Sequence, residues 1–317
     1  VREFVKDHPG VTFYDGGTGI SHEVLSEKGH IRPGELVVGS DSHTVTHGAF
    51  GAASTGLGDT DIAYALATGE NWFRVPESIA FDIEGSFGEH VSSKDLLLYI
   101  AGEYGTDVAR YRAVEFRGPG VEVLPLDDRI TLTNMSIELG AKFGFTPVDD
   151  VVTEYVEART DEPFEPIRAD SDAEYAETYE IDVTDLEPQV AVPHDVENVH
   201  PVSAVDPVEV DQVFLGSCTN GKYEDLRVAA EILEGREVAP MTRLLVTPAS
   251  REIYGRAERD GLIRIFNDAG AVVTSSTCGA CPGLGMGVLG DGEVCLAAQN
   301  RNFKGRMGHD NSEIYLS

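Results

Sequence analysis

The sequence predicts an α/β protein in which mostly parallel sheets are covered by helices. Short runs rich in β-branched residues alternate with stretches of helical composition along the 317-residue chain, the pattern of βαβ units. Polar clusters directly follow three of these runs, and ligand sites of open α/β sheets form at the carboxyl ends of strands. The length allows two or three domains and a sizeable core.

Four strands with their following segments carry this prediction. The run ELVVGS (35–40) precedes the helical stretch TDIAYALATGENWF, and QVFLGS (212–217) precedes YEDLRVAAEILEG. RLLVTPAS (243–250) precedes REIYGRAERDGLIRIFNDAG, which leads into AVVTSS (271–276). The polar clusters DSHT, CTNG and TCGAC follow the first, second and last of these runs, so we expect them to share one site.

A further helix is predicted over the segment TLTNMSIELGAKFG (131–144). Asn134 and Glu138 are four residues apart in it, so a continuous helix places them on one face. Taken alone, Glu138 has the character of an exposed helical residue.

Three domains are expected, with boundaries near residues 76 and 200. Residues 1–76 are the remnant of a first α/β domain, 77–199 form a second, and 200–317 form a third that carries the cysteines. Because the chain enters at Val1 as if in mid-domain, we expect sequence upstream to be absent.

The middle of the chain is unusually acidic. Residues 149–187 contain 15 acidic residues and two arginines, which is typical of a solvated face or connector. The proline-punctuated segment 188–210 predicts an extended crossing between domains.

Charge and hydropathy limit the partners of the protein. With 55 acidic and 24 basic residues the net charge is −31, which argues against nucleic acid and anionic membranes. No apolar run is long enough to span a membrane and no signal peptide is visible, so we expect a cytoplasmic protein. An acidic, lysine-poor surface is typical of a halophilic protein, because high salt screens its self-repulsion.

The pair Cys278 and Cys281 has a spacing that zinc ribbons, thiol oxidoreductases and iron–sulfur proteins share. The following CPGLGMGVLGDG is too rich in glycine and proline for the helix of a thioredoxin-type site. Zinc would require four ligands and there is no second CxxC, although a site that uses all four cysteines stays open. Cys218 follows another predicted strand, whereas Cys295 lies in an apolar segment typical of a buried structural thiol.

Other residues are ambiguous when they are taken singly. Arg301 and Arg306 in NRNFKGRMGH suit an anion pocket in so acidic a protein, but surface pairing with acids is the common alternative. His22 and His43 are ordinary structural histidines on their own. The glycine pattern GLGMGVLG (283–290) lacks the flanking strand and helix of a dinucleotide site, which we therefore do not expect.

Together, these stretches resemble the aconitase/isopropylmalate isomerase family. The matching pieces occur in the order of the family and span nearly the whole chain: GTGISHE, VVGSDSHTVTHGAFGAASTGLGDTD, ATGENWFRVPES, YRAVEFRGPGVE, TLTNMSIELGAK, VFLGSCTNG, TCGACPG and NRNFKGRMGH. The resemblance implies aconitase-like three-layer α/β/α domains around a central cluster site.

The resemblance also implies a cofactor and a set of site residues. It implies one [4Fe–4S] cluster with Cys218, Cys278 and Cys281 as ligands, which leaves one iron open to substrate. By position, the catalytic residues are His22, Asp41, His43 and Glu138, the substrate-binding residues are Ser42, Arg301 and Arg306, and the orienting residues are Asn134 and Asn300.

The implied activity is that of a hydro-lyase. The expected reaction isomerises 2-isopropylmalate and 3-isopropylmalate by dehydration and rehydration, with homoaconitase or aconitase chemistry on a tricarboxylate as the alternative. A small subunit that carries the swivelling domain is the expected partner, and the chain alone is expected to be inactive. Outside the family, a zinc-stabilised binding module without catalysis is the competing hypothesis.

Overall fold

Three sheets organise the structure, a computed structural model that describes residues 1–317. A two-stranded, a four-stranded and a seven-stranded sheet are formed. The strands are β1 Leu36–Gly39, β2 Ala53–Gly56, β3 Ser78–Glu84, β4 Ala113–Arg117, β5 Phe143–Phe145, β6 Glu177–Asp182, β7 Gln189–Ala191, β8 Val199–Pro201, β9 Gln212–Leu215, β10 Arg243–Val246, β11 Val272–Val273, β12 Val294–Ala297 and β13 Glu313–Leu316.

Helices connect and cover these strands. The α-helices are α1 Arg2–Asp7, α2 Ser21–Glu27, α3 Asp59–Thr68, α4 Ser93–Tyr104, α5 Pro119–Glu122, α6 Leu126–Met135, α7 Asp150–Glu157, α8 Ser217–Asn220, α9 Tyr223–Leu233, α10 Arg251–Arg259 and α11 Leu262–Asp268. Three 3₁₀ helices lie at Ser42–Phe50, Ser136–Leu139 and Val202–Ala204. None of the helices is both long and apolar enough to cross a membrane.

The sheets are mostly parallel, as the sequence predicts. The four-stranded sheet has the order β5-β4-β3-β6, and all of its pairs are parallel. The seven-stranded sheet has the order β11-β10-β9-β12-β13-β7-β8, and only the pairs made by β7 are antiparallel. In β3, the consecutive residues Ile79, Ala80 and Phe81 are fully buried, as expected for a parallel strand that is covered on both faces.

The prediction of a helix over residues 131–144 is correct only for the first part of this segment. Helix α6 ends at Met135, a 3₁₀ turn follows, and Gly140 closes it in the left-handed region with φ +81°. The chain then enters β5, which pairs with β4. Tertiary pairing thus overrides the local helical pattern, and Asn134 and Glu138 lie in two different elements.

Several other segments differ from their predicted form. The prediction that the acidic stretch 149–187 is a solvated face or connector is wrong where α7 and β6 form. Helix α7 buries Val152 and Val156 on one face, and β6 pairs with β3. The proline-punctuated segment is not wholly extended crossing chain, because it contains the antiparallel pair β7–β8. The helical stretch after β1 stops at Thr68, and the one after β10 is divided by Gly261 into α10 and α11.

The 3₁₀ helix Ser42–Phe50 places the polar cluster DSHT against the four-stranded sheet. It packs on α6 and on β5, and its residues His43–Phe50 are buried. Gly48 makes this approach possible, because a Cβ there would lie 1.6 Å from the carbonyl oxygen of Gly144.

We therefore expect Gly48→Ala to lower the free energy of unfolding by about 3 kcal/mol, the upper range for overpacking a filled core. Urea denaturation followed by circular dichroism measures the change. Gly10→Ala is the matched control, since a Cβ at Gly10 meets no atom within 4 Å. Equal stability of the two variants would contradict the close packing of this helix on β5.

Candidate active site

The three polar clusters that follow strands meet at one place in the fold. Ser42 follows β1, Cys218 lies in α8 after β9, and Cys281 follows β11. Asn300 and Arg301, which follow β12, connect them: Asn300 lies beside Cys218 and Cys281, and Arg301 Nη2 donates to Ser42 Oγ at 3.3 Å. The carboxyl ends of these parallel strands thus converge on a shared site.

A hydrogen-bonded row of charged and polar side chains lines one side of this site. His22 Nε2 lies 3.0 Å from Asp41 Oδ1, and the backbone N–H of His43 donates to the same oxygen at 2.8 Å. His43 Nε2 lies 3.1 Å from Glu138 Oε1. Arg301 Nε donates to both carboxylate oxygens of Glu138, at 2.9 and 3.1 Å. Four segments far apart in sequence are joined by these contacts.

The charges in this row of side chains stabilise one another. Hydrogen bonds from His22 and then His43 hold the pKa of Asp41 far below its usual range. Burial disfavours the imidazolium of His43, but hydrogen bonds to Asp41 and Glu138 outweigh it and raise the pKa of His43. Burial likewise opposes ionisation of Glu138, yet His43 and Arg301 lower its pKa. The arrangement favours a protonated histidine between two carboxylates.

His47 lies beside this row of side chains, but its pKa is lowered whereas that of His43 is raised. Its ring is 6.0 Å from that of His22, centroid to centroid, in an edge-to-face arrangement. Burial, together with the nearby His22, lowers the pKa of His47 to about 3. His47 is therefore a neutral neighbour, and nothing in the sequence pattern singles it out.

The thiols lie on the other side of the site. Asn300 Nδ2 lies 3.7 Å from Cys218 Sγ, and Asn300 Oδ1 lies 3.7 Å from Cys281 Sγ. Cys218 and Cys281 are buried, whereas Cys278 lies at the surface. Burial, and then the proximity of Cys281 and Cys278, raises the pKa of the Cys218 thiol. Cys295 is buried within β12, in contact with Gln212.

The amide of Asn134 is connected to that of Asn300, and so to the thiols, through an intermediate residue. Asn134 Nδ2 donates to Thr46 Oγ1 at 2.8 Å, and Asn134 Oδ1 accepts from Thr219 Oγ1 at 3.1 Å. The hydroxyl of Thr219 in turn accepts from Asn300 Nδ2 at 3.0 Å. Thr219 thus connects Asn134 to Asn300. It was not predicted from the sequence, although its position next to Cys218 was a usable signal.

Neither arginine makes the surface pair that was the common alternative. Arg301 is bonded to the largely buried Glu138, and Arg306 makes no ion pair with an acidic side chain. Arg306 Nη2 donates to Cys281 Sγ at 3.2 Å, while its buried Nε has no hydrogen-bond partner. An unpaired buried donor on a cation suits a ligand carboxylate.

Comparison with known families decides the family of the chain. The model of the aconitase family (aconitate hydratase) matches residues 1–317. The chain belongs to the aconitase family. Within this family it is 51% identical to "3-isopropylmalate dehydratase large subunit 1" of Methanopyrus kandleri, over the whole chain and 76% of the relative.

Two other aconitase-family relatives are similar to a comparable degree. The "Probable 3-isopropylmalate dehydratase large subunit" of Methanothermobacter thermautotrophicus is 52% identical, over the whole chain and 76% of the relative. The "Probable methanogen homoaconitase large subunit" of the same organism is 49% identical, over the whole chain and 74% of the relative.

A solved structure shares the fold. It is the holo-form of Thermococcus kodakaraensis aconitase X, with a TM-score of 0.50 and 14% identity, over 86% of this chain and 63% of that one. At this identity the likeness supports the aconitase-like α/β architecture alone.

The aconitase family implies an iron–sulfur cluster, and the donor set of this chain fits one. No three His, Cys, Asp or Glu side chains are arranged to hold a single metal ion. A cluster of several irons spreads its thiolates farther apart. Asn300 and Arg306, which lie against the sulfurs of Cys218 and Cys281, supply the hydrogen bonds that such sulfurs accept.

We expect Glu138→Gln to lower the pKa of His43, because the imidazolium loses an ionised acceptor. Since the fold raises the pKa of His43 above the usual 6.5, its stabilising contribution is present below about pH 6.5 and is lost as pH rises through the folded value. Imidazole nitrogen NMR measures the shift. Glu103→Gln, at an exposed position without hydrogen bonds, is the control, and an unchanged His43 titration in Glu138→Gln would contradict the pairing.

Proposed function

We propose that this chain is the large subunit of a hydro-lyase that isomerises 2-isopropylmalate and 3-isopropylmalate in leucine biosynthesis. The observation that carries the proposal is that Cys218, Cys281, Arg301 and Arg306 lie in one region with the hydrogen-bonded side chains His22, Asp41, His43 and Glu138. The isopropylmalate dehydratase names of relatives that are 51% and 52% identical support the substrate.

Cys218, Cys278 and Cys281 would hold a [4Fe–4S] cluster in this proposal. With three thiolates, one iron would stay open and would supply a Lewis acid for the substrate hydroxyl that is removed. Asn300 would donate through Nδ2 to the Cys218 sulfur, and Arg306 would donate through Nη2 to the Cys281 sulfur. Asn134 would act one step further away, through Thr219.

The side chains of the protein would bind substrate and hold a proton. Ser42, Arg301 and Arg306 would receive carboxylate groups, and the free Nε of Arg306 is available for one of them. Both ring nitrogens of His43 face carboxylates, with Nε2 3.1 Å from Glu138 Oε1 and Nδ1 3.5 Å from Asp41 Oδ1. Glu138 and Asp41 therefore favour the protonated form of His43, which would donate to the departing hydroxyl.

The proposed assembly is a heterodimer in the cytoplasm, with a small subunit that carries the swivelling domain. The "large subunit" names of the relatives support this partner. The acidic composition, with a net charge of −31, supports a halophilic protein for which ionic strength screens self-repulsion.

A tricarboxylate substrate is the second candidate, because a relative with a homoaconitase name is 49% identical. Parallel assays of the protein with its small subunit on 3-isopropylmalate, homoaconitate and citrate separate the two. We expect turnover of 3-isopropylmalate, and exclusive turnover of a tricarboxylate would replace the first proposal with the second.

We expect that changing any of Cys218, Cys278 or Cys281 to Ala abolishes turnover and lowers iron and sulfide per chain after anaerobic loading, since each removes one thiolate. Cys295→Ala is the matched control and should retain both, because Cys295 lies within β12. Full iron and turnover in any of the first three variants would refute that ligand.

Arg306→Gln should lower kcat/KM by about 100-fold, because a charge-assisted hydrogen bond contributes roughly 1.5–3 kcal/mol. Steady-state kinetics on iron-normalised protein measures the effect. Arg264→Gln, which alters an exposed arginine, should leave kcat/KM unchanged. An Arg306→Gln enzyme as active as this control would remove Arg306 from the substrate-binding set.

A further inference from the structure

Lys222 is a fully buried lysine directly beside the turn that carries Cys218. Its ammonium donates to the carbonyl oxygen of Thr219 and, at 2.8 Å, to Thr131 Oγ1. Asp225 Oδ2 lies 3.4 Å away as its ion-pair partner. The three hydrogens of an ammonium group thus have three acceptors, and the charge is held in one place.

The turn that Lys222 contacts has a strained backbone. Ser217, the residue before Cys218, has φ +70°, which a residue with a side chain rarely adopts. Such a conformation persists only where the surroundings hold it. Gly221 closes the turn from the other side, since a Cβ there would lie 2.7 Å from the carbonyl oxygen of Ser217.

Thr219 is held by both of its polar groups. Its carbonyl oxygen accepts from Lys222 and, at 3.1 Å, from Thr131 Oγ1. Its hydroxyl contacts Asn134 and Asn300. Because these bonds hold the Thr219–Asn220 peptide and the Thr219 side chain, they limit the directions in which the sulfur of the preceding residue, Cys218, can point.

We propose that Lys222 is a positioning residue for the iron–sulfur cluster. It holds the strained Cys218 turn against α6 through Thr219 and Thr131, so that the sulfur is in place before the cluster binds. Loss of its ammonium lets the turn relax and weakens the hold of Cys218 on iron. This inference rests on the proposed [4Fe–4S] site.

The surrounding charges decide the design of the variant. The carboxyl groups of Asp225, Glu23, Asp127 and Asp128 all act on Lys222, and burial raises the pKa of Glu23 to about 8. Removal of the ammonium alone would leave a buried carboxylate without its counter-ion, which destabilises the fold itself. The double variant Lys222→Met/Asp225→Asn removes both charges of the ion pair, and Asp225→Asn alone is its matched reference.

The experiment measures iron release from anaerobically loaded protein to a chelator, by the decay of visible absorbance, together with the thermal midpoint of the cluster-free protein. We expect Lys222→Met/Asp225→Asn to release iron at least about tenfold faster than Asp225→Asn, with thermal midpoints that agree within a few degrees. Thr131→Val, which removes one hydroxyl and no charge, should release iron about threefold faster than the unaltered protein.

Equal release rates for the double variant and Asp225→Asn would overturn the role of Lys222. If the double variant does not fold, an unaltered release rate in Thr131→Val would overturn it. A fall in thermal midpoint without faster release would show a purely structural lysine, and would also overturn it. Failure of the unaltered protein to bind iron and sulfide would instead refute the proposed cofactor.

Discussion

The buried carboxylate of Glu138 is the constraint on which the site depends. An ionised group with little access to water costs several kcal/mol unless it is paired on the spot. Its partners come from distant parts of the chain: His43 from the 3₁₀ helix after β1, and Arg301 from the loop after β12. The charge of Glu138, in the middle of the chain, therefore connects an N-terminal segment that carries His43 to a C-terminal segment that carries Arg301.

A second, uncharged network ties the thiols to the same frame. Asn300 contacts the sulfurs of Cys218 and Cys281, and its amide meets the hydroxyl of Thr219. Thr219 is bonded in turn to Asn134, whose amide reaches Thr46 in the 3₁₀ helix that also carries His43. The acid–base side and the thiol side of the site are thus connected by hydrogen bonds within the protein.

The sequence could predict what depends on local pattern. Alternation of apolar runs and helical segments predicted a mostly parallel α/β fold, and the polar clusters after three strands were correctly expected to meet. The role of Glu138 came only from resemblance, since nothing in a helical pattern shows that a 3₁₀ turn will aim it at His43. The domain boundaries near 76 and 200 stay predictions.

The failures have a common physical origin in long-range contacts. The helix predicted over 131–144 is broken because Phe143–Phe145 pairs with β4. The acidic segment concealed Val152 and Val156, whose four-residue spacing was the one signal of a buried helix face. Thr219 and Lys222 were missed because the side chains they contact, Asn134 and Thr131, are 85 and 91 residues away.

Diffraction at the iron absorption edge, from crystals of anaerobically loaded protein, shows directly whether three cysteines hold an iron–sulfur cluster. We expect a compact group of iron peaks bordered by the sulfurs of Cys218, Cys278 and Cys281, with one iron free of thiolate and facing Arg301 and Arg306. Iron bound at Cys295, or a single metal ion with other ligands, would contradict it.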